Sequence, residues 1–183
     1  MKSALVPLAQ GCEELEAVTI IDILRRADIS VVTASLDDNL HITASRGVRL
    51  VADQSLADTP VNDFDMIVLP GGQPGTRHLL ADTRLKQSLL DYGRQDRWLA
   101  AICAAPSVLA THGLLDNYQA TAFPGTLTAD AFPLVQISSD AVVIDRKRIT
   151  SRGPGTAIAF ALTLVEVLTD SNRRQQVAAG LSA

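Results

Sequence analysis

Cysteine, histidine and long apolar runs are all scarce in this chain. Of 183 residues two are cysteines, Cys12 and Cys103, and three are histidines. Two thiols are too few to staple a secreted disulfide scaffold, and their spacing is not that of a metal site. A reducing, cytoplasmic compartment is therefore expected, with no metal and no cofactor. No stretch reaches the roughly 18 apolar residues of a membrane span, since the best candidate, Thr156 to Leu168, is interrupted by Glu166. The apolar start, Ala4 to Leu8, is too short for a signal-peptide core, and Glu13 and Glu14 follow closely. Positive charge is in deficit: 16 Lys and Arg stand against 20 Asp and Glu, a net charge of −4. That balance argues against a dedicated nucleic-acid surface. The short basic clusters Arg25-Arg26, Arg146-Lys147-Arg148 and Arg173-Arg174 read as solvated faces. Repeats, low-complexity tracts and linkers are missing too, so a single domain over 1–183 is expected.

What is present is an alternation of strand-like and helix-like patterns. Apolar runs at Ser3–Leu8, Ile29–Ser35, Asp65–Leu69 and Trp98–Ile102 read as buried strands. Helical patterns over Glu13–Ala27, Thr83–Gln95 and Pro106–Thr111 separate or follow them, with Gly113 placed to cap the last. His41–Thr43 and Val48–Ala52 form a small hairpin through Ser45-Arg46-Gly47. Shorter strands are expected at Gln119–Ala122, Leu134–Ile137 and Ala141–Ile144, the last pairing with Arg148–Thr150. The nearly all-apolar helix Thr156–Leu168 should be covered on more than one side, and a polar helix, Ser171–Leu181, ends the pattern. Continuous apolar strands separated by helices predict an α/β fold: a mostly parallel sheet with helices on both faces, a three-layer sandwich.

Chemistry concentrates in Ala100-Ala101-Ile102-Cys103-Ala104-Ala105-Pro106. A strand ends on a cysteine, and small residues lead directly into a helix. A thiol at such a turn faces unpartnered N–H groups, and these should make it more acidic than the roughly 8.5 of a free cysteine. The alternative is a small buried hydrophobe. Sites in open α/β sheets gather beyond the carboxyl ends of the strands. Two other turns occupy that position, Ala9-Gln10-Gly11-Cys12-Glu13-Glu14 and Pro70-Gly71-Gly72. Glu16 shares the apolar face of Ile20 and Ile23. A carboxyl aimed at the core tends to keep its proton and can donate to a thiolate; a carboxylate reaching water at the helix edge is the alternative. Gly71-Gly72 can present N–H groups to an oxyanion, or can be only a turn. Ser151-Arg152-Gly153-Pro154-Gly155-Thr156 is a rigid helix-opening loop. His41, His78 and His112 fall in the hairpin, a surface loop and a helix end, so a Cys–His dyad lacks an evident second member.

Taken in order, Ala4–Leu8 with Gly11–Glu16, Ser45-Arg46-Gly47, Ile67–Gly72, Ala100–Pro106 and Thr150–Thr156 span nearly the whole chain. They resemble the ThiJ/PfpI superfamily, in the branch that contains the Parkinson-disease deglycase and bacterial YajL, with YajL nearer because Phe123 stands where the human-type protein has histidine. The resemblance implies a flavodoxin-like sandwich and a homodimer. It implies that Cys103 is the nucleophile, that Glu16 is the acid bonded to it, and that the Gly72 and Ala104 N–H groups form an oxyanion site. Glu13 and Arg46 match residues pairing across the dimer near the site, supported by Gly71, Gly153 and Pro154. Ala104 stands where the family's proteases carry histidine, which disfavours peptidase or amidase chemistry. Cys12 is either a packing residue or a resolving thiol.

The expected activity is cofactor-free processing of reactive dicarbonyls, or of their early glycation adducts, of the glyoxalase or deglycase type and linked to oxidative-stress protection. The substrate would be a small aldehyde or glycated adduct. A redox-sensing chaperone with an oxidisable Cys103 and little turnover is the alternative.

Overall fold

In the computed structural model, which describes residues 1–182, the apolar runs become the interior of a seven-stranded sheet. The strands and helices in chain order are β1 (Ser3–Leu8), α1 (Glu14–Arg26), β2 (Ser30–Ser35), β3 (His41–Thr43), β4 (Arg49–Val51), β5 (Gln54–Ser55), β6 (Met66–Leu69), α2 (Gly75–Ala81), α3 (Thr83–Arg94), β7 (Trp98–Ile102), α4 (Pro106–Thr111), β8 (Gln119–Ala120), β9 (Gln136–Ile137), β10 (Val142–Asp145), β11 (Arg148–Ser151), α5 (Ala157–Leu168) and α6 (Ser171–Leu181). The sheet order is β10-β11-β7-β6-β1-β2-β5. Every neighbouring pair is parallel except β10–β11, which is antiparallel.

Side chains alternate across each strand, and both faces are buried, which is why these strands read as unbroken apolar runs. Ala4, Val6, Leu8, Met66, Val68, Ala100 and Ile102 face a layer built by α1, α5 and α6, with Ile20, Leu24, Phe160 and Leu164 at its centre. Leu5, Ile67, Leu69, Leu99 and Ala101 face the opposite layer, where Leu79, Leu85, Leu89, Tyr92 and Leu109 come from α2, α3 and α4. This is the expected flavodoxin-like three-layer sandwich. Its parallel strands β1, β6 and β7 all end at one rim, and the three turns singled out in the sequence lie there together.

Several local expectations need correction. His78 lies in helix α2, not in a surface loop. Seven residues are two turns, too few to display a helical period, and the preceding Pro70–Pro74 stretch reads as loop chemistry. The edge strand β5 is only two residues long and pairs with β2 at Ala34 and Ser35; it carries no alternation. β8 and β9 are shorter than expected and pair with each other in a separate two-stranded ladder. Arg148 is not on a solvated face. It is 3% exposed, and its guanidinium donates to the carbonyls of Leu114 (3.0 Å), Lys147 (3.0 Å) and Arg97 (3.2 Å). All three residues of the triplet lie over aromatic rings, Arg146 and Arg148 over Tyr118 and Lys147 over Trp98.

Candidate active site

Strand β7 ends at Ile102, and the next residue, Cys103, takes a left-handed backbone with φ of 63°. A non-glycine residue there costs on the order of 1–3 kcal/mol and needs neighbours that hold it. Two backbone bonds do so: the Cys103 N–H donates to Ser151 O (2.9 Å), continuing the β7–β11 ladder, and the Cys103 carbonyl accepts the Phe123 N–H (2.8 Å). The chain then turns through Ala104 and Ala105 into α4. The sulfur is thereby lifted off the strand end, and the residue keeps 9% of its surface exposed.

Glu16 sits in the first turn of α1, fully buried, facing the sheet as its spacing from Ile20 and Ile23 predicts. Its Oε2 accepts the Gly71 N–H at 2.9 Å, and its Oε1 makes no hydrogen bond at standard geometry. Burial pushes this carboxyl up to about 7, against the pull of the Gly71 N–H and the Cys103 thiol. The alternative of a carboxylate reaching water is thus set aside.

The expected acidification of the thiol is not what the surroundings favour. Burial, and then the charge of Glu16, push Cys103 up to about 12, while the N–H groups of Ala104 and Gly72 act in the lowering direction. Helix α4 spans only six residues. One amide at the entry to a short helix and one in the turn after β6 do not offset a buried site with a carboxylate beside it. Between these two values the pair holds one proton. These shifts leave that proton on the sulfur; its transfer to Glu16 would give a thiolate facing two N–H donors with no neighbouring negative charge.

Gly71 and Gly72 close this arrangement. A Cβ on Gly71 would lie 2.7 Å from Cys103 Cβ and 2.9 Å from Glu16 Oε2, so only glycine fits between the thiol and the carboxyl. Gly72 has φ of 91°, and a Cβ on it would meet the Glu13 N at 2.4 Å. In front of the sulfur lies a cavity of about 290 Å³, lined by Glu13, Arg46, Gly72, Gln73, Cys103, Ala104, Phe123, Thr126 and Pro154.

Residues 2–167 match the DJ-1/PfpI family. The chain belongs to the DJ-1/PfpI family. It is 34% identical over 170 residues to the glutathione-independent glyoxalase DJR-1.2 of Caenorhabditis elegans, covering 91% of this chain and 89% of that protein. Its fold superposes on the oxidized DJ-1 of Toxoplasma gondii with a TM-score of 0.92, at 40% identity, over 99% of this chain and 98% of that one. It is 44% identical over 165 residues to protein DJ-1 homolog B of Arabidopsis thaliana, covering 88% of this chain but only 37% of that longer protein.

In this DJ-1/PfpI chain, Cys103, Glu16, Gly71, Gly72, Ala104, Glu13, Arg46 and Pro154 come together at the rim. Gly153 joins them by its backbone: a Cβ on it would lie 3.3 Å from the Phe123 ring and 4.0 Å from the Cys103 sulfur. None of the three histidines lines the cavity. Cys12 is also buried, and both cysteines are free. Burial, with Glu14 and Glu13 next, pushes the Cys12 thiol up to about 12, and it does not line the cavity, which fits packing better than a resolving role.

Glu14 is the residue that sequence reasoning passed over. It is 8% exposed, and it accepts Ser45 Oγ (2.9 Å), the Arg46 N–H (2.8 Å) and the Val48 N–H (3.4 Å). Burial acts to raise its pKa, yet these donors and its own N–H hold the carboxyl below the usual range. One carboxylate therefore ties the first turn of α1 to the β3–β4 turn and fixes Arg46 beside the cavity. The only signal was the Ser45-Arg46-Gly47 turn, whose N–H groups need an acceptor.

Proposed function

We propose that this protein converts small α-oxoaldehydes, or the adducts they first form with thiols and amines, into 2-hydroxy acids without a cofactor. The observation that carries the reading is the Cys103–Glu16 pair, held across Gly71, with the Gly72 and Ala104 N–H groups facing the sulfur inside a cavity of about 290 Å³. The relative named a glutathione-independent glyoxalase supports the same class of reaction.

With methylglyoxal, the Cys103 thiolate attacks the aldehyde carbon. A C–S bond forms, the carbonyl π pair moves to oxygen, and the Gly72 and Ala104 N–H groups hold the oxyanion. Glu16 supplies the proton to that oxygen. The resulting carboxylate then takes the C1 proton, giving an enediol, and returns it to C2 while the C1 hydroxyl proton passes to the C2 oxygen, so that the aldehyde carbon becomes a thioester and the ketone an alcohol. Water cleaves the thioester, releasing lactate and the thiol. The sum is methylglyoxal plus water to lactic acid, and no external oxidant is needed. General acid–base help of this kind is worth about 10²–10⁴-fold. Lactate release from methylglyoxal should vanish in Cys103→Ala; retention of the wild-type rate would refute the mechanism.

We also propose a homodimer, on the strength of exposed apolar side chains. Leu15 and Val18 on α1, Val48 and Val51 on the hairpin and Ile158 on α5 are each about half exposed or more. A homodimer through this face would cover them and place Glu13 and Arg46 at its border, in a cytoplasmic setting.

A redox-responsive role has its own support, since one solved relative is described as oxidized. A protonated Glu16 with a free Oε1 could donate to a sulfinate on Cys103. Mild peroxide should then oxidise Cys103 ahead of Cys12, as read by mass spectrometry; equal oxidation would count against this role.

A further inference from the structure

The cavity in front of Cys103 does not end at Phe123. Two more cavities share this residue. One of about 440 Å³ runs along Arg152, Gly153, Pro154 and Thr156. The other, of about 200 Å³, lies between Phe123 and Arg152 on the Ile137–Ser139 side. Phe123 is half exposed, its N–H is fixed to the Cys103 carbonyl, and its ring packs over the Gly153 backbone. It is thus a ridge with the thiol on one side and a groove on the other.

Arg152 borders both of these outer cavities but not the thiol cavity, whereas Arg46 borders the thiol cavity alone. Its Nη1 donates to Ser139 O at 3.0 Å, which anchors the side chain along the groove. Among the described residues no ion pair involves Arg152. Asp140, the acid next to its anchor, instead accepts Ser138 Oγ at 2.8 Å. A guanidinium has five donors. One anchored N–H leaves the rest for a ligand, and the fork matches carboxylate and phosphate oxygens.

We propose that the Phe123–Arg152 groove is a subsite for the anionic tail, carboxylate or phosphate monoester, of the adduct processed at Cys103. The proposal rests on the reading of the reaction given above and adds its substrate class: adducts carrying a negative group on the amine or thiol side. Phe123 lies against the apolar stem of such a ligand, and Arg152 takes its charged end.

The test compares methylglyoxal hemithioacetals of N-acetylcysteine, 2-mercaptoethyl phosphate, and the neutral N-acetylcysteine amide and 2-mercaptoethanol. The wild type should favour each anionic adduct over its neutral counterpart by roughly tenfold in kcat/KM, the size of one charge-assisted contact. The two anionic arms tell whether carboxylate or phosphate is preferred. Arg152→Ala should erase the preference while leaving the neutral adducts within about twofold, and Arg152→Lys should restore part of it. Equal rates for anionic and neutral adducts in the wild type, or an equal loss on both in Arg152→Ala, would overturn the proposal. If the wild type turned over no adduct, the reaction assigned to Cys103 would be lost, and the subsite would be judged by alkylation. N-chloroacetyl-β-alanine should label Cys103 faster than its methylamide, and Arg152→Ala should abolish the difference; equal labelling of the wild type would overturn the subsite itself.

Discussion

The Gly71 N–H donates to Glu16 Oε2 at 2.9 Å, and no atom beyond hydrogen can occupy the space between that glycine, the acid and Cys103. The turn after β6 therefore sets the orientation of the carboxyl and its separation from the thiol in one stroke.

Gly71→Ala places a methyl group 2.7 Å from Cys103 Cβ and 2.9 Å from Glu16 Oε2. Displacing the acid from the thiol should reduce kcat by on the order of 10²-fold. Crowding should destabilise the fold by about 1–3 kcal/mol. Steady-state kinetics and urea titration check both, and an active variant of wild-type stability would contradict the packing described.

Glu16→Gln separates function from stability. Burial raises the folded-state pKa of Glu16 from 4.5 to about 7. The stability tied to this group is thus fully present below about 4.5 and is lost as pH rises to about 7. Removing the ionisable group should leave stability unchanged at the acidic end of that window and raise it by up to about 3 kcal/mol above neutrality. Activity should fall in the same variant. In parallel, the pH profile of Cys103 alkylation should show a rise through about 7 in the wild type, where the pair loses its first proton, and the variant should lack that step. Superimposable profiles would show that the two groups do not share a proton.

Glu14→Gln removes the charge that holds Ser45, Arg46 and Val48. Loss of charge-assisted bonds at a buried site should cost about 1–3 kcal/mol. Amide exchange at residues 46 and 48 should accelerate well before the core opens. Unchanged protection there would mean that the β3–β4 turn is held by something else.

The sheet and its two helical layers were legible because each central strand is apolar on both faces: Met66–Leu69 and Trp98–Ile102 admit few other structures. Cys103 and Gly71-Gly72 were legible for a related reason, because they follow apolar runs at strand ends, and Glu16 because it interrupts the apolar face of α1. Less could be read where a residue's role depends on what the fold brings to it. Glu14 looks like any other acid of a first helical turn until the hairpin supplies three donors. Arg148 belongs to a basic triplet, and only its place in β11 turns it inward toward carbonyls. The thiol shows the limit most clearly. The strand-to-helix turn could be anticipated from local sequence, but the direction in which Cys103 shifts is set by burial and by a carboxylate 87 positions earlier in the chain.

The Cys103 carbonyl and the Phe123 N–H share a hydrogen bond of 2.8 Å. Thiol and threshold are consequently tied together through one backbone bond. A ligand seated on the aromatic ridge is linked to the backbone of the sulfur-bearing residue through the Phe123 side chain and this single hydrogen bond.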